Sequence, residues 1–208
     1  MAGAAKLVLG PGTGLGVAAL IDAGGWRPIG GEGGHVERGP LSSRERKIWR
    51  HFSSEGERVD GEQILSGPGL VRLYLAVMAA DGSNPEFSTP QEILDSGLAG
   101  KAGALETLEH FAVHLGRLAG DLALVFMARG GVYISGGIGL RLAQFLPKSG
   151  FRQAFDDKPP YRELMRTMTV RTIIHPQPAL LGLSRLVQMS GKFAPIGRSW
   201  RASGEMNG

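Results

Sequence analysis

The chain has 208 residues, 42% hydrophobic and 20% charged, enough to bury a substantial core, which excludes a disordered or fibrous chain. Its formal net charge is +4 with lysines and arginines dispersed, so there is no nucleic-acid footprint, and the lack of cysteine excludes disulfides and thiolate metal sites. The most apolar window, Phe111 to Met127, is interrupted by His114, Arg117 and Asp121, which argues against a membrane span, and the opening MAGAAKLVLGPG is too short in its apolar run for a secretory leader.

In chain order, Lys6 to Leu9 and Gly16 to Ile21 predict two strands joined by a glycine-rich turn, and Trp26 to Ile29 predicts a third. Ser42 to Phe52 reads as a helix that Ser42 or Ser43 can cap. Pro68 to Ala80 has Leu70, Leu73, Tyr74 and Val77 on one face, and Pro90 to Ala99 is a further short helix. A long helix is predicted from Lys101 to Ala128, with apolar residues stepping by three and four from Leu105 to Val125. Gly130 to Ile138 reads as a buried strand ending on a glycine pair, Leu140 to Leu146 as the start of a helix, Val170 to Ile174 as a strand and Ala179 to Met189 as a closing helix. The expected class is a layered α/β lobe with a three-stranded start.

Four segments are candidates to carry chemistry. Gly10 to Gly16 has the glycines that let a backbone approach an anion and a threonine hydroxyl to add a donor, yet it suits a plain hairpin turn equally well. It lacks the lysine of a P-loop and the following helix of a dinucleotide fingerprint. Glu32-Gly33-Gly34-His35 brings a carboxylate and an imidazole close enough to grip a polyol, or is a capping glutamate beside an exposed histidine. Glu62 precedes the turn Leu65-Ser66-Gly67-Pro68-Gly69-Leu70, a helix start with or without a ligand. Ser135-Gly136-Gly137-Ile138 follows a strand, where a glycine pair admits a flat group or simply makes a tight turn. The histidines show no metal-ligand spacing, and His110 and His114 read as a satisfied surface pair on one helical face.

In this order the segments resemble the bacterial ATP-dependent glucokinases of the hexokinase and actin-like ATPase superfamily, from about Leu7 to Met189. The matching words are Gly-Thr-Gly-Leu-Gly at 12–16, Gly-Glu-Gly-Gly-His-Val at 31–36, Leu-Ser-Gly-Pro-Gly-Leu at 65–70, Gly-Gly-Val-Tyr-Ile-Ser-Gly-Gly-Ile at 130–138 and Ser-Gly-Phe-Arg-Gln-Ala-Phe-Asp-Asp-Lys at 149–158. The resemblance implies an actin-like, ribonuclease H-like lobe with a mixed five-stranded sheet flanked by helices. It implies that Glu32, His35 and Glu62 contact glucose hydroxyls, that Gly12, Thr13 and Gly14 form a phosphate loop, and that Gly136 and Gly137 meet adenosine. ATP and magnesium are the implied cofactors, with the metal held by phosphates and waters and not by protein ligands; glucose is the implied substrate, the cytoplasm the implied location, and a homodimer is plausible by family.

The family also has a preceding lobe with an Asp-x-Gly-Gly-Thr loop and an Asn-Asp pair whose aspartate is the general base on the sugar 6-hydroxyl. Neither precedes Leu7; Asp22, Asp60, Asp81, Asp95 and Asp121 lie outside any matching motif, and Asp156 and Asp157 fall in the 149–158 word, which is not the Asn-Asp motif. The expectation is therefore the C-terminal lobe over residues 1–189, a flexible tail over 190–208, no N-terminal lobe, no catalytic aspartate, and little activity by itself. A truncated glucokinase, a natural half-protein and a non-catalytic sugar-sensing or interaction module are the competing readings.

Overall fold

The computed structural model describes residues 3–54 and 56–188; the tail expected over 190–208 lies outside them. Five strands form a single mixed sheet in the order β3-β2-β1-β4-β5. β1 (Lys6–Pro11), β2 (Leu15–Asp22) and β3 (Trp26–Gly31) are a meander of antiparallel pairs with Val8 opposite Ala18 and Ala18 opposite Gly30. β4 (Val132–Ile134) and β5 (Val170–Thr172) then join the other side of β1 in parallel, with Leu9 opposite Ile134 and Ile134 opposite Thr172. Parallel neighbours need helical crossovers, and the chain supplies them. This is the actin-like ATPase topology that the sequence implied.

Residues alternate along β1, so Leu7 and Leu9 are buried and the strand sits at the centre of the sheet. The helices are α1 (Ser43–Phe52), α2 (Gly67–Ala80), α3 (Pro90–Leu98) and α4 (Ala102–Val125), followed by α5 (Gly136–Arg141), α6 (Phe151–Asp156), α7 (Arg162–Thr167) and α8 (Pro178–Gln188). α1 and α3 start on reciprocal capping boxes, Ser42 with Glu45 and Thr89 with Glu92, which satisfy backbone donors that a helix start leaves open. No described helix is long and apolar enough to cross a membrane.

α4 is the central helix. Leu108, Phe111, Ala112, Leu115, Leu118 and Ala119 are fully buried, and each large apolar side chain so placed is worth about 1.5–3 kcal/mol over exposure. Gly116 and Gly120, one turn apart, let α6 lie directly against it: a Cβ on Gly120 would stand 2.6 Å from the Phe155 carbonyl oxygen. This helix is thus committed to intramolecular packing along much of its length.

Three expectations need correcting. The strand predicted over Gly130 to Ile138 is only Val132–Ile134, because Gly131 (φ 110°) and Gly136 (φ 77°) take backbone conformations that end extended structure on both sides. α5 therefore starts at Gly136, not near Leu140, and Pro147 belongs to a 3-10 turn over Leu146–Lys148. His114 is not a surface residue: it is 1% exposed, against Trp49 with ring centroids 5.3 Å apart, and neither ring nitrogen has a hydrogen-bond partner. The helix carrying it has a covered flank there, which i, i+4 spacing alone does not reveal.

Candidate functional site

The turn between β1 and β2 is held from two sides. The Gly12 N–H donates to the Gly14 carbonyl at 2.8 Å, and the Gly12 carbonyl accepts from the Gly67 N–H at the start of α2 at 2.7 Å. Thr13 stands exposed at its tip. Behind it, Glu62 accepts from the Leu15 N–H at 2.8 Å, and a Cβ on Gly14 would stand 2.7 Å from the same carboxylate oxygen. The glycine is needed there for the carboxylate to reach the hairpin.

The Glu32 to His35 segment follows β3 as a single 3-10 turn over Gly33–His35. Gly34 is buried with no room for a side chain, since a Cβ would stand 2.5 Å from the Leu15 carbonyl oxygen. The segment is then fastened to residues 59–62: Glu62 donates its N–H to the Gly34 carbonyl at 2.8 Å, Gly61 to Val36 at 3.0 Å, and Arg38 to Val59 at 2.8 Å. That pairing, sealed by the bridge between Glu37 and Asp60, delivers Glu62 to the same edge as Glu32 and His35. The Glu32 side chain is 90% exposed and its carboxylate is 3.8 Å from His35 Nε2.

Asp60 is the residue that the sequence reading set aside and the structure brings in. Its carboxylate lies 3.0 Å from His35 Nδ1, and it is itself braced by Gln63, which exchanges two backbone-to-side-chain hydrogen bonds with it. The His35 ring is raised above the ordinary imidazole pKa, first by the hydrogen bond it donates to Asp60 and then, with desolvation opposing, by the charges of Asp60, Glu62 and Glu32. Asp60 is held below the usual carboxylate range: burial opposes this, but the Gln63 N–H and His35 outweigh it. A carboxylate on Nδ1 keeps the proton there and leaves Nε2 facing outward.

Gly136 and Gly137 reach the same region from β4. A Cβ on Gly136 would stand 2.9 Å from the Pro11 carbonyl carbon, so α5 begins in contact with the end of β1. Gly137 is exposed, and a Cβ there would meet nothing within 4 Å, as at Gly12. All the predicted site segments thus gather where β1 and β4 end, the side of such a sheet on which ligands collect.

The comparisons with known proteins bear on the family and the fold. A family model described as Glucokinase matches residues 1–190. A glucokinase of Agrobacterium fabrum is 50% identical over 203 residues, covering 96% of this chain and 60% of the relative. The crystal structure of a glucokinase from an Antarctic psychrotroph superposes with a TM-score of 0.82 at 29% identity, covering 90% of this chain and 59% of that one. A glucokinase of the ROK family from Streptomyces griseus, solved in complex with glucose and AMPPNP, has the same fold at a TM-score of 0.61 and 20% identity, over 89% of this chain and 61% of that one. The chain spans about 60% of the length of the curated relatives it matches. With nearly its whole described length inside the match, the chain belongs to the glucokinase family.

Proposed function

We propose that the protein takes part in ATP-dependent phosphorylation of glucose at the 6-hydroxyl, in the cytoplasm, and that these 208 residues supply the sugar-gripping and nucleotide-facing wall of the site. The observation that carries this is the convergence of Glu32, His35 and Glu62 with the Gly12–Gly14 turn and the Gly136–Gly137 turn at one end of the sheet. In this reading Glu32 and the remaining oxygen of Glu62 accept hydrogen bonds from sugar hydroxyls. His35, fixed by Asp60, offers Nε2 to a third.

Open space at Gly12 and Gly137, where any other residue would carry a side chain, supports a place for the nucleotide there. The Gly12 to Gly14 backbone and Thr13 would hold phosphate oxygens, and Gly137 would lie against adenosine. ATP supplies the phosphoryl group when bound. Among the described residues no three histidine, aspartate or glutamate side chains gather as a metal cage, so magnesium would be carried on the phosphates and waters.

The carboxylates gathered here have other parts in this reading: Asp60 holds His35, Glu62 shares itself between the Leu15 N–H and a sugar hydroxyl, and Glu32 accepts from another, so none of them is assigned as the base on the 6-hydroxyl. Positioning and charge stabilisation dominate phosphoryl transfer, so one wall without a general base leaves these 208 residues with little or no turnover. A homodimer, carried over from the family, is read by sedimentation.

Calorimetry tests the sugar assignment. Glucose is expected to bind the chain weakly, with a Kd above about 1 mM, and Glu32→Gln is expected to remove that binding. A coupled assay with ATP, magnesium and glucose is expected to show little product. Micromolar glucose binding or robust turnover by the 208 residues alone would overturn the one-walled reading.

A further inference from the structure

A cavity of about 500 Å³ opens between the segment after His35, the α4 helix and the α6 helix, and it shares no lining residue with the candidate sugar and nucleotide site. Its lining includes three cations, Arg38, Arg117 and Lys158, whose side chains are only 11%, 15% and 12% exposed. Pulling cations out of water is costly unless each is paired. The pairing present is partial. Arg38 and Lys158 share the one carboxylate of Asp121, at 2.8 and 2.9 Å, and Arg117 reaches the buried Glu45 through Nη2 alone, at 2.9 Å.

The donors left over are what matters. A guanidinium has five N–H groups and an ammonium three. Arg117 Nη1 is buried with no hydrogen-bond partner, an arrangement that natural structures rarely leave without a reason, and it meets a ligand when the guanidinium turns toward the cavity. Asp157, the other carboxylate of the lining, is engaged by Arg162. The lining also includes Ser42, whose hydroxyl accepts from the Glu45 N–H at the start of α1, Gln153, and an apolar wall of Leu41, Val113 and Ala154. The volume exceeds what a bare ion needs and falls within the range of small-molecule sites.

We propose that this cavity binds a small phosphorylated metabolite, its phosphate on Arg38, Arg117 and Lys158 and its hydroxyls on Ser42 and Gln153. Asp121 stays in place and keeps the two cations aimed inward when no ligand is present. Guanidinium pairs on phosphate are strong because the donors are charged and can act two at a time. The proposal stands apart from the reading of the sugar site, with which it shares no residue.

The test is calorimetry on the chain with two probes, inorganic phosphate and glycerol 3-phosphate, each in chloride buffer. Glycerol 3-phosphate is expected to bind saturably and more tightly than inorganic phosphate. Lys158→Met, which keeps the stem packed beside Gly120, is expected to weaken it about tenfold or more, the usual effect of deleting one charge-assisted hydrogen bond. Gln153→Ala, at an exposed side chain, is expected to weaken glycerol 3-phosphate and leave inorganic phosphate unaffected, which keeps the question decidable if Lys158→Met unfolds. The proposal fails if the chain shows no saturable binding below about 10 mM, if both variants bind as the parent does, or if excess ATP or glucose displaces the probe. Equal affinity for the two probes overturns the metabolite class.

Discussion

Gly136 and Gly137 are adjacent and chemically identical, yet the structure assigns them opposite consequences on substitution. At Gly136, φ is 77°, and a Cβ would press on the Pro11 carbonyl with 2.9 Å to its carbon and 3.0 Å to the Gly10 carbonyl carbon. Left-handed backbone costs an L-residue about 1–2 kcal/mol, and displacing packed backbone adds about 1–3 kcal/mol, so Gly136→Ala should cost about 2–5 kcal/mol. For a chain of this size each kcal/mol lowers Tm by about 2–4 °C, giving a fall of about 4–20 °C. At Gly137 the added methyl meets nothing, and near a helix start alanine is neutral to mildly favourable. Gly137→Ala should therefore melt within about 2 °C of the parent while weakening an ATP analogue several-fold. Calorimetric melts and nucleotide titrations on both variants decide it. Equal melting of the two would refute the steric argument, and unchanged nucleotide affinity in Gly137→Ala would refute its place at the nucleotide.

Two further outcomes follow from buried and paired groups. His114 is held neutral, first by burial, which outweighs the attraction of Glu45 and is reinforced by Arg117, His110 and Arg38 nearby. Its folded pKa lies below its unfolded value near 6.5, so the unfolded chain binds the extra proton and stability falls as pH drops below about 6.5, by up to about 1.4 kcal/mol per pH unit. Denaturant unfolding of His114→Leu between pH 7 and pH 5 should show a correspondingly shallower acid slope; parallel curves would sink the assignment. Asp60→Asn should bring the His35 ring pKa down, measured by NMR without ligand, and weaken glucose several-fold if the sugar reading holds. A lowered pKa with unchanged glucose affinity would leave the pair intact and remove His35 from the sugar site.

Much of this was legible in the sequence, for reasons that differ by element. The β1 to β3 meander and α4 were readable because apolar alternation and a three-and-four period are imposed by one buried face over many residues. α6 and α7 span six residues each, too short for a period, although Phe151 and Phe155 one turn apart carry the core contacts of α6. The glycines of residues 130–137 resemble a strand end and a helix start equally, and only φ at Gly131 and Gly136 separates them. Glu32, His35 and Glu62 came from the ordered motifs. Asp60 did not, because its tie to His35 depends on residues 34–38 pairing with residues 59–62, a long-range register with no mark in local spacing.

Glu62 joins the two halves of the candidate site, and that connection can be separated experimentally. Its Oε2 accepts from the Leu15 N–H, fixing the base of the Gly12 to Gly14 turn, while its backbone N–H is bonded to Gly34 in the sugar segment. In the proposed reading a change at Glu62 thus acts on the nucleotide side through the hairpin and on the sugar side directly. Glu62→Ala removes the acceptor and leaves a partly buried N–H unpaired, at about 1–3 kcal/mol, and should loosen the turn and weaken nucleotide and glucose together. Glu62→Gln keeps a neutral acceptor for Leu15 and loses only the charge, so the nucleotide should bind as in the parent while glucose weakens. Loss of nucleotide affinity in Glu62→Gln equal to that in Glu62→Ala would show that the charge, not the hydrogen bond to the hairpin, governs the phosphate turn.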